Sequence, residues 1–277
     1  MSRRPLVGLA VLALAGCDAG SRAPGPMQYR WPEQLAWRIE YVAQALAGER
    51  ALFRYAETKL MRVVDRGGTW VVGFDQILKT SQVPGDSMQL VPLTVEDTLD
   101  FYVDIGGRGE LASARLGCDP AAPACADALP SLIRIELRRL VPRLAVWPVP
   151  RGGSWVDTLA FDDAARPRGS RGHVITRYTS TADTVIGVNE YWAITWRSVR
   201  TSFRRPRGMS VLAPDEQVEE VGLTLVDKRH LVPVFSTWVG ALAAPPEQRQ
   251  LGATGTGFRG RAYLRGSPFD PTRAAPR

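Results

Sequence analysis

Residues 173–203, HVITRYTSTADTVIGVNEYWAITWRSVRTSF, alternate between two sets of side chains for most of their length. Val174, Thr176, Tyr178 and Ser180 fall at every second position. Further on, Tyr191, Ala193 and Thr195 interleave with Trp192, Ile194 and Trp196. A period of two is what a pleated strand imposes, because successive Cβ atoms leave opposite faces; a helix has no use for it. β-Branched and aromatic residues fill most of these positions, which suits a half-buried pleated surface. Thr181-Ala182-Asp183 reads as the turn that folds the run back on itself. A chain with such a stretch is committed to an antiparallel sheet.

The rest of the body extends that pattern. TWVVGFDQIL and QLVPLTVEDTLDFYVDIGG carry strand residues between the turns Arg66-Gly67-Gly68 and Pro84-Gly85-Asp86. GELASARL, SWVDTLAFDD, EEVGLTLVDKRHLVPVFSTWVGAL (a hairpin about Asp227–His230) and the closing strand GTGFRGRAYLRG bring the expected total to ten to twelve strands. WRIEYVAQAL fits either a strand or a short helix. One segment, ADALPSLIRIELRRLVPRL, has apolar residues at 129, 132, 133, 137, 140, 141 and 144, which is helical spacing with arginines set opposite. Asp127 is the expected cap, Pro130 suits the first turn and Pro142 ends it, so the helix is placed near 128–144. Strands do not alternate with helices, which argues against a parallel sheet. The fold expected over 35–265 is α+β and mainly antiparallel, a strongly curved sheet packed on one central helix. In pattern it resembles the half-barrel envelope lipoproteins of the lipid- and lipoprotein-carrier type, and that resemblance implies an apolar groove. No internal repeat is supported by identity.

The amino-terminal stretch fixes an address. Arg3 and Arg4 precede Leu6–Ala15, an apolar run of about ten residues that spans roughly 15 Å as a helix. A bilayer core is about 30 Å thick, so the run is a secretory h-region and not a span. It closes on Leu14-Ala15-Gly16-Cys17. This sequence resembles the lipobox of bacterial lipoproteins: aliphatic, small, small, cysteine. The resemblance implies cleavage after residue 16, diacylglycerol on the Cys17 thiol and usually a further acyl group on the new terminus, enough chains for stable anchoring. Residues 1–16 are then a signal peptide. Residues 17–34, rich in Gly, Pro and Ser, form a flexible tether, and 266–277 a fraying tail. The expected location is the cell envelope, on a bacterial membrane and facing the periplasm, with inner and outer membrane both open.

With Cys17 lipidated, two thiols remain, Cys118 and Cys125, flanking the loop DPAAPA. The envelope is oxidising, and a bridge closing about eight residues restricts the unfolded chain by roughly 2.5 kcal/mol. A metal pair would want closer spacing and further ligands. The net charge of +7 is carried almost wholly by arginine, Lys59, Lys79 and Lys228 being the lysines. A basic exported body suits anionic lipid headgroups better than nucleic acid.

Motifs for chemistry are missing. His173 and His230 stand at a strand start and in a hairpin turn with no partner at metal-ligand spacing, and no G-x-S-x-G elbow occurs. Gly255, Gly257 and Gly260 match G-x-G-x-x-G, but no helix or acidic residue follows where a dinucleotide needs them, so they read as glycines of a curved edge strand. Asp97, Asp100 and Asp104, like Asp157, Asp162 and Asp163, read as solvated edges without calcium-loop spacing. No catalytic residue, metal or cofactor is expected. Trp155, Tyr178, Trp192, Trp196, Phe235 and Trp238 crowd the second half as core residues and as candidate lining of a hydrophobic groove. Three functions are weighed. A membrane-anchored, non-enzymatic lipoprotein holding a lipid in a groove predicts an open concavity, and a structural or assembly lipoprotein acting by protein contact predicts a filled core. An anchored hydrolase would need a histidine beside a serine or a metal.

Overall fold

A computed structural model describes residues 28–31, 34–45, 51–65, 69–82, 89–90, 101–117, 130–146, 149–164, 169–204, 213–242, 256–264 and 267–269; within 34–36, 41–45, 51–82, 89–90, 101, 213–215 and 256 it describes backbone only. Cys17, Cys118, Cys125, Asp97, Asp100, Asp127 and Gly255 lie outside the described residues. Among the described residues the strands are β1 (Gln34–Ala45), β2 (Ala51–Asp65), β3 (Thr69–Gln82), β4 (Gln89–Leu90), β5 (Phe101–Gly106), β6 (Leu111–Leu116), β7 (Ser154–Asp162), β8 (Arg171–Ser180), β9 (Thr184–Ile186), β10 (Asn189–Arg204), β11 (Ala213–Asp227), β12 (Pro233–Leu242) and β13 (Thr256–Leu264), and the helix is α1 (Pro130–Leu140). They form a single antiparallel sheet in the order β6-β5-β3-β2-β1-β13-β12-β11-β10-β8-β7, with β4 added to β3 and β9 to β10. WRIEYVAQAL is thus strand, the outcome its β-branched and aromatic content favours. GTGFRGRAYLRG is a central strand and not an edge, because β13 pairs with both β1 and β12.

Helix α1 ends earlier than its apolar spacing suggested, at Leu140. Val141 still donates to Leu137 O at 2.7 Å, but Pro142 has no N–H to continue the ladder. The Ser131 N–H at its start is taken by the Asp163 carboxylate at 3.2 Å, reaching from the end of β7. Its last turn is held by the sheet: Ser236 Oγ donates to Arg139 O at 2.6 Å. The helix packs on β5, β6, β7, β11 and β12, over one face of the sheet.

That face is built on a cross-strand row. Trp155, Tyr178, Trp196, Gly222, Trp238 and Gly260 stand at one register level on β7, β8, β10, β11, β12 and β13. A Cβ at Gly222 would fall inside the indole of Trp196, and one at Gly260 inside that of Trp238. Each glycine therefore lets its neighbour's indole lie flat across it, which pins the register. Trp155 stacks on Tyr178 with ring centroids 5.4 Å apart. A second cluster, with Tyr191, Leu225, Val232 and Val234, covers the opposite face at one end of the sheet.

The packed body begins earlier than residue 35. Tyr29 is buried and donates its hydroxyl proton to Pro142 O at 2.7 Å, and its ring meets Trp31 at 4.9 Å. It also runs past 266, since Phe269 stacks on Phe235 at 5.1 Å and meets the edge of Tyr191 at 5.3 Å.

Candidate functional site

One register step from the aromatic row, on the same face, stands a polar row. Asp157, Thr176, Ser198 and Glu220 are paired in sequence across β7, β8, β10 and β11, and all four are buried. They lie beneath the carboxyl-terminal half of α1 and the segment after it, which deliver Arg138, Arg139 and Arg143. Arg138 and Asp157 form an ion pair at 2.9 Å, with the two side chains 5% and 1% exposed. Arg138 Nη1 also donates to Gly109 O at 3.1 Å. Arg143 Nη1 meets the other oxygen, Asp157 Oδ1, at 2.5 Å. Arg139 Nε donates to both oxygens of Glu220, at 2.9 and 3.1 Å, and its Nη2 adds a further bond. The same guanidinium sits 5.8 Å from the Trp238 ring and 5.9 Å from that of Phe258. Thr176 and Ser198 share a hydrogen bond of 3.1 Å.

Taking such charges out of water is expensive, and only close pairing repays it. Burial opposes the charge on Arg143, but the hydrogen bond and field of Asp157 more than offset this and raise its pKa. Burial pushes the Tyr178 phenol up, and the Asp157 carboxylate adds to the rise against the pull of Arg138. Arg134 goes the other way: burial lowers it first, and the neighbouring Arg138 charge lowers it further. Arg134 bonds to both ends of the strand order, donating to Leu111 O on β6 at 2.7 Å and to Ala160 O on β7 at 3.2 Å.

A narrow cleft remains between α1 and the sheet, lined among others by Ile135, Val174, Trp196, Val218 and Arg200. Its volume is about 320 Å³ counted to its open mouth, and its enclosed part is the size of about one water molecule. Nε of Arg138 and Nε of Arg200 are buried there without a hydrogen-bond partner among the described residues. Chemically the site fixes charge. The Asp157 oxygens face two guanidinium groups and those of Glu220 face one. Among the described residues, no group of three His, Cys, Asp or Glu side chains is placed to hold a metal ion, and no helix is long and apolar enough to cross a membrane.

Of the aromatic candidates, Trp155, Tyr178, Trp196 and Trp238 come together under α1, and Trp192 packs against the same cluster. Phe235 belongs to the opposite face. Asp157 corrects the reading of its set as solvated: it is 3% exposed. Asp162 does lie at the surface, paired with Arg171 at 2.9 Å, and Asp104 bonds Arg115 at 3.1 Å in an exposed pair. The arginines set opposite the helix's apolar stripe are buried in part, Arg138 most of all. A signal for the polar row was present: Asp157 shares strand parity with Trp155, Leu159 and Phe161. No protein-family model matches this chain, and no curated protein matches it in sequence.

Proposed function

We propose that the chain is an exported lipoprotein held to a bacterial membrane through Cys17, whose sheet wraps α1 as a half-barrel and which works without catalysis, by contact with other envelope components. The observation that carries the contact reading over the carrier reading is how full the inner face is beneath the helix. Trp155, Tyr178, Trp196 and Trp238 are buried there, and the remaining cleft takes about one water and no acyl chain. The ion pairs of Asp157 and Glu220 with arginines support a structural role for the charged row.

A carrier that binds lipid draws on one different observation. The ends of the strand order share no ladder; they are bridged by side-chain bonds of Arg134 and Arg138, so β6 can part from β7 without breaking backbone pairing. Mass spectrometry of an organic extract of the gently purified protein separates the two. An extract free of lipid beyond the covalent anchor supports contact; one lipid per chain overturns it in favour of a carrier. Palmitate labelling that disappears in Cys17→Ala supports the anchor, and labelling that persists overturns it.

A further inference from the structure

The β9–β10 hairpin ends in an aliphatic tip that nothing among the described residues covers. Val188 is 96% exposed, Val185 63% and Ile186 37%. Ile186 pairs with Asn189, leaving Gly187-Val188 as a two-residue loop. Positive φ falls on Gly187 alone of the two, the II′ arrangement, which makes no demand for a branched aliphatic residue at the second place. A Cβ on Gly187 would touch nothing, so the turn stands clear of the body. Three exposed aliphatic side chains within the four residues 185–188 give the folded chain no packing and work against its solubility.

The surroundings of the tip point to what covers it. Lys228 N donates to Glu190 O at 3.1 Å, so the β11–β12 turn lies beside the hairpin. Arg30 N donates to Leu231 O at 3.1 Å, so the chain arriving from residue 17 meets the body at that same turn. Gly152 N donates to Ser180 O at 2.7 Å and brings the Arg151 turn to the same end. Arg30, Arg151 and Arg229 are exposed there, with no acidic partner among the described residues. The local acids Asp183 and Glu190 are both held by Lys228. The thirteen residues that separate Cys17 from Arg30 have a contour of at most about 45 Å.

We propose that the Val185–Val188 tip enters the interfacial layer of the bilayer that holds Cys17, with Arg30, Arg151 and Arg229 lying on anionic phospholipid headgroups. This rests on the anchored reading above. Insertion buries the exposed aliphatics, and the unpaired guanidinium groups find counter-charge in the same plane. The body would then stand with its β9 end toward the membrane.

The test uses the processed, membrane-extracted chain reconstituted into vesicles of phosphatidylcholine and phosphatidylglycerol. A polarity-sensitive fluorophore is attached at Val188→Cys, at Val185→Cys or, as control at the far end of β11, at Gln217→Cys. Blue-shifted emission at 188 and 185, quenched by bilayer-borne nitroxide at least about twofold more than at 217, is the expected result. Emission at 188 and 185 as water-exposed as at 217 overturns the proposal. Equal quenching in pure phosphatidylcholine overturns the headgroup part. The intact mass of the same sample reports acylation of Cys17 separately, so an unmodified cysteine sinks the anchored reading and a modified cysteine with a wet tip sinks this inference alone.

Discussion

Replacing Asp157 with alanine removes one small side chain and strands two charges. Arg143 is 34% exposed at its side chain, so it can turn to water or toward Glu110, whose carboxylate is already 4.0 Å away. Arg138 has no such exit, being 5% exposed beneath the helix. Breaking a buried pair by removing one partner costs roughly 3–5 kcal/mol, because the remaining charge is left uncompensated in low dielectric. In a domain of this size each kcal/mol lowers Tm by about 2–4 °C, so Asp157→Ala is expected to melt on the order of 6–20 °C below the parent. Thermal unfolding followed by circular dichroism reads the shift. Asp162→Ala, on the same strand with an exposed partner, is the control and should stay within about 0.5 kcal/mol of the parent. The double replacement Asp157→Leu with Arg138→Met removes both charges together and should recover most of the loss. An Asp157→Ala protein that melts within about 2 °C of the parent, or a double variant no better than the single one, would refute the account of the polar row as a compensated buried network.

Gly222→Ala forces a methyl group into the Trp196 indole and should cost about 1–3 kcal/mol, with Trp196→Leu in the same chain relieving part of it; urea midpoints check both. Arg134→Ala frees the carbonyls of Leu111 and Ala160, and hydrogen–deuterium exchange should rise along β6 and β7 while the β1–β13–β12 centre stays protected. Stability should fall at both pH extremes. Although burial opposes it, the hydrogen bonds and charge of Arg261 hold Glu40 below the usual carboxylate range, so its contribution is present above that range and lost as pH falls through the depressed value. Burial and the Glu40 carboxylate push Tyr263 up to about 12, so its contribution is complete below the ordinary phenol value and lost as pH rises toward 12. Urea unfolding across pH reads both limbs, and Tyr263→Phe should flatten the alkaline one.

Strand content and the antiparallel arrangement were legible because alternation is a local signal, written residue by residue in segments such as 173–203. The helix was legible for the same reason, and its true end at Leu140 followed from the missing N–H of Pro142. Strand order was not, because nothing local in GTGFRGRAYLRG says that it will sit between β1 and β12. The glycines of that segment and Gly222 take their meaning from indoles on neighbouring strands, a partnership fixed only by register. The polar row fell between the two cases. Asp157 stands at core parity, yet a carboxylate on a strand is most often at the surface, and the arginines that compensate it lie 14 and 19 positions away in the chain.

The place of β13 carries a consequence for how the molecule is made. Strands β1 to β6 form one run of sheet and β7 to β12 another, and among the described residues their backbone ladders are joined through β13, lying between β1 and β12. Until that strand has emerged, each half presents a long, unsatisfied inner border, so joining the two runs of sheet waits for residues 256–264. A nascent chain stalled before residue 256 would offer both borders to any other extended polypeptide nearby.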